Sequence, residues 1–432
     1  VKGEKTMLER LFIFEDERYD QFFPLTWTRP ACELRCGAWE IRHLILSHFA
    51  HVDTVFLCRD YLEPVLSERN GTAFRTNDLH VEDEDEIYLV NGRLFPPSNL
   101  REILDSSEEN QLLVCGKDMV GWHGSGRTFK RLATEFGGLY KKGQVTELRG
   151  RLDCVETQVE LSSYLWELVE QNGAQIKAVF ELIKEHKDFK HMFEHSQVDD
   201  QALIYDMDRV YIEHGSQIDG QVVLDARGGP IIIGEKVHIQ PHTRIEGPCY
   251  VGGNSILVGG KIRGGTSIGP YCRIGGEVEQ SIFLGYCNKY HEGFLGHSYV
   301  GEWVNLGALT TNSDLKNNYG PVKVEVNSKL IDSGQTKVGA FIGDHAKTGI
   351  GTLLNTGVSI GFCSNLFGGG MVKQKSIPSF FWGGADGGET YRLEEAIKTA
   401  ETVMRRRGRG LSAAQADLFK KLFQLTDKER GK

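Results

Sequence analysis

The chain has 432 residues, 40% hydrophobic and 25% charged, with 51 glycines, nine cysteines and a formal net charge of −9. That length exceeds one typical core, so at least two domains are expected, and the acidic balance leaves no basic surplus for a nucleic-acid partner. Cysteines odd in number, dispersed and without a C-x-x-C pair exclude a disulfide framework or zinc site; with no apolar run of the roughly 18 residues a span needs and no secretory core at the start, a soluble cytoplasmic protein with no membrane partner is expected.

Residues 8–158 alternate short apolar runs with helical stretches. Leu11 to Phe14, Val52 to Cys58, Ile87 to Val90 and Leu112 to Cys115 read as strands, with a helix from Ala38 to Phe49. Alternation of this kind predicts a largely parallel α/β sheet whose ligands lie at the strands' carboxyl ends. Residues 159–200 carry helical spacing (Leu165, Leu168, Val169, then Ile176, Val179, Phe180, Ile183) with a break near Gly173, and are expected to be a helical connector packed on the first domain.

From residue 201 to 384 the pattern changes. Ile233, Ile239, Ile245, Val251 and Leu257 recur every sixth residue, and after one shorter step Ile262, Ile268 and Ile274 resume the series. That period is neither helical nor simple strand alternation. It is the signature of a solenoid whose coils bury their apolar edges against one another, here a left-handed parallel β-helix of hexapeptide repeats. Many of these apolar residues precede a glycine, which suits a tight corner. Residues 385–432 return to amphipathic helix in two segments separated near Gly408 and Gly410. The basic run Arg405, Arg406, Arg407 and Arg409 falls at a helix end, where cations complement the dipole.

The stretch N-K-Y-H-E-G-F-L-G-H-S-Y-V-G-E-W-V-N-L-G-A-L-T-T-N, followed by S-G-Q-T-K-V-G-A-F-I-G-D-H, resembles the acetyltransferase domain of the bifunctional enzymes that acetylate glucosamine 1-phosphate and then uridylylate the product. The likeness covers most of residues 230–375. It implies an acetyl-CoA-dependent transfer to a sugar 1-phosphate, and a homotrimer whose cofactor sites lie between neighbouring β-helices. By the match, His291 falls on the family's base. An attacking amine must lose a proton near neutral pH, where imidazole titrates. His297, in a similar Gly-His-x-Tyr run, competes for the role.

The same resemblance assigns Arg263, ahead of Val278-Glu279, to the sugar phosphate, where a guanidinium offers paired donors. Asn305 and Asn312 fall on substrate-contacting asparagines, with Asp314 an alternative to the second. Lys347 and Thr348 fall near the acyl-CoA, and Lys373 and Lys375 are further candidates for its phosphates. Two departures stand out. Ser281 replaces a phosphate-binding lysine, and Phe294 replaces a substrate-contacting tyrosine, which opens the alternative of a different sugar acceptor.

At the amino terminus, F-E-D followed by P-L-T-W-T-R-P-A-C-E-L-R-C-G resembles a divergent bacterial branch of sugar nucleotidyltransferases. The resemblance implies nucleotidyl transfer from UTP or dTTP to a sugar 1-phosphate, with Mg²⁺. Arg29, Arg35, Arg93 and Lys117 are the cations available for the phosphates. Asp16 and Asn91 are the candidate metal ligands, with Glu167 as a substitute. The glycine-rich triphosphate cradle is absent, Phe14-Glu15-Asp16 standing in its place. An active transferase, a sugar-nucleotide-binding domain and a structural remnant all fit this sequence; a non-catalytic trimeric scaffold is the alternative for the whole chain.

Overall fold

A computed structural model describes residues 8–136, 150–186 and 195–431. They form two compact units. The first takes the described parts of 1–22, 28–34 and 40–163; the second takes 23–27, 35–39 and everything described from 164 onward.

Leu11, Phe12, Ile13 and Phe14 are at most 2% exposed, as a central strand covered on both faces requires. Their strand, Glu9–Phe14, pairs in parallel with Asp53–Leu57 on one side and Glu86–Asn91 on the other. Among the described residues the sheet has seven strands, ordered Asp153–Glu156, Gln111–Cys115, Asp118–Ser125, Glu86–Asn91, Glu9–Phe14, Asp53–Leu57 and Arg75–Thr76. Asp118–Ser125 runs antiparallel to both neighbours, so the sheet is mostly parallel. The expected helix from Ala38 to Phe49 shrinks to Ile41–Leu46, because Glu40 is extended and begins it late.

The second unit is a parallel β-helix. Ile233 stacks on Val251 and Val251 on Ile268 along one face. Ile239, Leu257 and Ile274 stack on the next, and Ile245, Ile262 and Val278 on the third. A step of six residues therefore moves one face round the coil, and all nine side chains are no more than 1% exposed. Burial of each such side chain contributes about 1.5–3 kcal/mol. The short step from Leu257 to Ile262 is a register shift within Ile256–Ile262.

Glycine and the coil corners divide their work differently from the sequence expectation. A Cβ on Gly252 would lie 2.7 Å from the Gly269 carbonyl carbon, and one on Gly269 would lie 1.9 Å from the Leu284 oxygen. These glycines allow close coil approach. The left-handed conformation is taken instead by Tyr271 (φ 58°), Tyr286 (φ 55°), Trp303 (φ 61°) and His345 (φ 59°), at a steric cost to residues with a Cβ. Stacking offsets it: Tyr271 and Tyr286 lie 4.8 Å apart at 1°, Tyr286 and Trp303 4.1 Å apart at 11°. Arg407 donates to the Tyr271 carbonyl and Arg409 sits over the Tyr271 ring. The basic run thus docks the end of helix Leu393–Arg405 on this ladder, beyond any dipole role.

Leu165–His186 is one uninterrupted helix and packs on Cys249–Val251, Thr266–Ile268 and Tyr299–Glu302. The break expected at Gly173 is thereby corrected; the expected packing on residues 8–158 is met at Arg35–Cys36, with the Gly37 amide donating to Asn172 Oδ1 at 2.7 Å, and extends to these coils. Gly173 is where the helix meets the coils, a Cβ there being 3.4 Å from Pro248 Cγ and 3.6 Å from Gly265 Cα. Next to it, Asn172 Nδ2 donates to the Gly265 carbonyl at 2.7 Å, and its Oδ1 accepts from Ser267 Oγ at 3.0 Å. The carboxyl-terminal helices are Leu393–Arg405, Ala413–Leu425, begun by a Ser412–Gln415 capping box, and Asp427–Arg430. Among the described residues no helix is long and apolar enough to cross a membrane.

Candidate functional site

In the first unit, three adjacent strands end in charge. Glu15 and Asp16 follow Glu9–Phe14, Arg59 follows Asp53–Leu57, and Arg93 follows Glu86–Asn91. This is the sheet edge at which ligands are expected, but its charges are closed into pairs. Arg59 grips Glu15 through Nε at 2.8 Å and Nη2 at 3.0 Å, with the Tyr19 ring 4.0 Å from its Cζ. Burial pushes the Glu15 carboxyl up, and Arg59 recovers only part of that shift.

Asp16 is more fully engaged. Its Oδ1 accepts from Arg93 Nε at 2.9 Å and from the Arg18 amide at 3.1 Å; its Oδ2 accepts from Asn91 Nδ2 at 2.9 Å and from Arg93 Nη2. Burial would raise this carboxyl, yet the charge and hydrogen bonds of Arg93 outweigh it and hold it below the ordinary range. Asn91 spends its oxygen on the Arg93 amide and its nitrogen also on the Met119 carbonyl.

Of the two residues expected to hold Mg²⁺, Asp16 has both oxygens engaged, with a guanidinium as its cation, and Asn91 Oδ1 accepts from the Arg93 amide. Glu167, the substitute, belongs to the second unit and accepts from the Tyr164 amide. Among the described residues no three His, Cys, Asp or Glu side chains are grouped to hold a metal. Binding of Mg²⁺ by Asp16 would require it to exchange Arg93 for the ion.

The four expected phosphate cations are not assembled either. Arg93 and Arg29 are each 1% exposed. Arg35 lies in the second unit, donating to the Ala38 carbonyl with its guanidinium over Tyr250. Lys117 is exposed at a hairpin turn. Sequence reading missed Arg59, although its position just past an apolar strand was a usable signal.

In the β-helix Arg263, His297 and Asp314 of the expected residues come together at one corner. Arg263 Nε donates to Glu277 at 2.9 Å and lies 3.9 Å from Glu279; Lys337 Nζ lies 3.3 Å from Glu279 on its other side. Beside them His297 Nδ1 meets Asp314 Oδ2 at 2.7 Å, the two residues being 7% and 8% exposed. Burial would raise the Asp314 carboxyl, but the His297 hydrogen bond and the charges of His297 and Lys337 hold it low. An ionised Asp314 can only accept, so Nδ1 is the nitrogen that donates to it, and the neutral ring in this orientation has its lone pair on Nε2. A histidine held in one tautomer by a carboxylate is the arrangement general-base chemistry uses.

His291 is exposed, its ring edge-on to Tyr290 at 5.3 Å. Its carbonyl receives the buried Lys289 Nζ at 3.2 Å, and the Gly275 carbonyl receives the same ammonium at 2.9 Å. Phe294 is half-buried on the strand that ends at Gly296. Asn305 accepts from Asn288 and pairs in register with Lys347, whose Nζ donates to the His345 carbonyl.

Two expected contacts are turned inward. Asn312 uses both ends of its amide on the Gly296 backbone, at 2.8 and 2.9 Å. Thr348, 5% exposed, bonds Thr310 Oγ1 at 2.7 Å and the Gly307 amide at 3.2 Å. Both hold coils together, which corrects their assignment to substrate and cofactor. Ser281 is likewise fully buried and bonded to backbone carbonyls. Lys337 and Glu279 were not singled out as ion partners. Lys337 follows an antiparallel hairpin, Lys323–Val326 with Lys329–Asp332, that interrupts the coils. Its signal was the alternation around Asn327-Ser328, both of positive φ as a two-residue hairpin turn requires.

Residues 11–188 match the family described as sugar nucleotidyl transferase. A segment of 98 residues is 38% identical to a bifunctional sugar-1-phosphate nucleotidylyltransferase/acetyltransferase of Sulfurisphaera tokodaii, covering 23% of this chain and 24% of that protein. A segment of 85 residues is 36% identical to the bifunctional protein GlmU of Methanocaldococcus jannaschii, covering 20% and 21%. Over 193 residues the chain is 28% identical to an uncharacterized acetyltransferase of Escherichia coli, covering 44% of this chain and 80% of that protein. The matches to the two bifunctional proteins thus span under a quarter of their length.

Proposed function

We propose that the chain, whose residues 11–188 match the sugar nucleotidyl transferase family, is a transferase of amino-sugar nucleotide synthesis. In this reading the β-helix acetylates the amine of a sugar 1-phosphate resembling glucosamine 1-phosphate, using acetyl-CoA. The amino-terminal domain handles the nucleotide, taking UTP or dTTP and a sugar 1-phosphate. The working form is a cytoplasmic homotrimer. Residues 8–158 serve the nucleotide, 159–200 connect, 201–384 transfer the acyl group and 385–432 brace the coils.

The observation that carries the reading is the His297–Asp314 pair beside Arg263, Glu279 and Lys337. The amine nitrogen forms a bond to the thioester carbonyl carbon, and His297 Nε2 takes the proton it sheds. The carbon–sulfur bond then breaks, and the proton passes to the leaving sulfur to give free CoA. Arg263 supplies the cation for the sugar phosphate, exchanging a surface carboxylate for it. His297 rather than His291 has the orienting carboxylate, so it is the base in this proposal. Asn305 and Lys347, adjacent in register, serve the cofactor side.

The occupied Asp16 favours a second reading for the amino-terminal domain alone, binding of a sugar nucleotide without metal-dependent transfer. The decisive assay follows free thiol from acetyl-CoA with glucosamine 1-phosphate, and in parallel pyrophosphate from UTP or dTTP with and without a chelator. Thiol release that is lost in His297→Ala and kept in His291→Ala supports the proposal. The reverse pattern moves the base to His291, and no release with any amino-sugar phosphate removes the acetyltransferase. Nucleotide binding without pyrophosphate favours the binding reading.

A further inference from the structure

Cations from two separate parts of the chain meet at the Tyr271 corner of the β-helix. Arg407, half-buried, donates from Nη1 to the Tyr271 carbonyl at 3.2 Å, and Arg409 Cζ lies 5.6 Å from the centroid of the Tyr271 ring. Arg273, two residues past Tyr271, and Arg406, next to Arg407, add exposed guanidiniums. Burial, and after it the charges of Arg273 and Arg406, push Arg407 below its ordinary value, so these three cations feel one another directly.

Among the described residues none of the four guanidiniums is ion-paired with a carboxylate, whereas Arg405, one residue before Arg406, bridges Glu401 at 2.6 Å. A chain of net charge −9 has acids to spare, so this grouping needs a physical reason. The dipole of Leu393–Arg405 supplies part of one, favouring each cation near its last turn by about 0.3–1 kcal/mol, but Arg273 comes from a coil strand, Arg273–Glu279. Docking the helix end employs Arg407 and Arg409 and leaves Arg273 and Arg406 without a task. Guanidiniums gathered without counter-charge repel, and an anion with several oxygens relieves the repulsion through paired hydrogen bonds. A diphosphate brings more charge and more acceptors to four cations than a single phosphate does. Nucleic acid would require a basic face that this acidic chain lacks.

We propose that Arg273, Arg406, Arg407 and Arg409 form a binding site for a diphosphate group, carried either by inorganic pyrophosphate or by a nucleoside diphosphate. The inference stands apart from the proposed acyl transfer. It is tested by calorimetry on the full chain with inorganic pyrophosphate, UDP and inorganic phosphate. Pyrophosphate is expected to bind, and inorganic phosphate to bind more weakly. The double variant Arg273→Gln/Arg406→Gln, at two exposed positions, should weaken pyrophosphate at least about tenfold, as loss of charged hydrogen bonds implies. Arg405→Gln should leave it unchanged, because that guanidinium is already paired with Glu401. UDP binding that falls in the same double variant makes a nucleotide one source of the group; UDP binding that does not fall assigns the site to the free ion. Absence of pyrophosphate binding, phosphate bound as tightly as pyrophosphate, binding unchanged in the double variant, or an equal loss in Arg405→Gln would each overturn the assignment.

Discussion

Replacing Asp314 by Asn keeps the shape of the side chain and removes its charge. The hydrogen bond at 2.7 Å is charge-assisted and largely buried, so its loss is expected to weaken proton acceptance by His297 by about 1.5–3 kcal/mol. An amide can also donate to Nδ1, which would move the ring proton to Nε2 and abolish the base. Together these predict a fall in kcat for acetyl transfer of roughly ten- to hundredfold with KM little changed. Nitrogen NMR of the labelled imidazole reads the tautomer independently of activity, and should show Nδ1–H in the natural chain and a mixed or reversed state in the variant. Stability supplies a third check. Because the Asp314 pKa is lowered from the ordinary 3.8, the pair's stabilisation is present above that value and is lost as pH falls through the depressed one. Asp314→Asn should lack this acid-side loss. An unchanged tautomer with an unchanged rate would refute the assignment of His297 as an oriented base.

Three further outcomes are expected. Burial brings the Lys289 ammonium down to about 8 from an ordinary 10.5, so stability should climb between those values, where the unfolded chain still holds the proton; urea melts across that window should show a rise of at most about 3 kcal/mol, missing in Lys289→Met. Arg93→Ala leaves the Asp16 carboxylate buried and unpaired and should cost about 3–5 kcal/mol, whereas Asp16→Leu/Arg93→Met should be much milder; equal losses in the two would contradict the pairing argument. Gly173→Ala should stabilise by up to about 1 kcal/mol in thermal melts, since the added Cβ meets only ordinary contacts within a helix, while Gly173→Leu should destabilise by clashing with Pro248.

Ile233 through Ile274 carried the β-helix openly, because stacking a coil on its neighbour constrains each buried position to be apolar at one fixed interval. The long helix was legible too, yet Gly173 was misread as a break within it. In sequence a glycine signals lost propensity; in the folded chain it sits where Pro248 and Gly265 come close. The same holds for Gly252 and Gly269, which clear space between coils while bulky Tyr271 and Trp303 take the left-handed corners. Asn312 and Thr348 show the limit at the site, since a polar side chain serves a ligand or a backbone group equally well until its direction is known.

The sequence by itself determined the period, and hence the solenoid, the α/β alternation before it, and the residue types from which an acyl-transfer corner is built. Only the tertiary structure decided which of them meet. It put the carboxylate of Asp314 on His297 instead of near His291, and it filled Asp16 with the guanidinium of Arg93. Both outcomes have one cause: a buried charge must find its counter-charge, and residues far apart in the chain become partners only when the coils or strands carrying them are folded side by side.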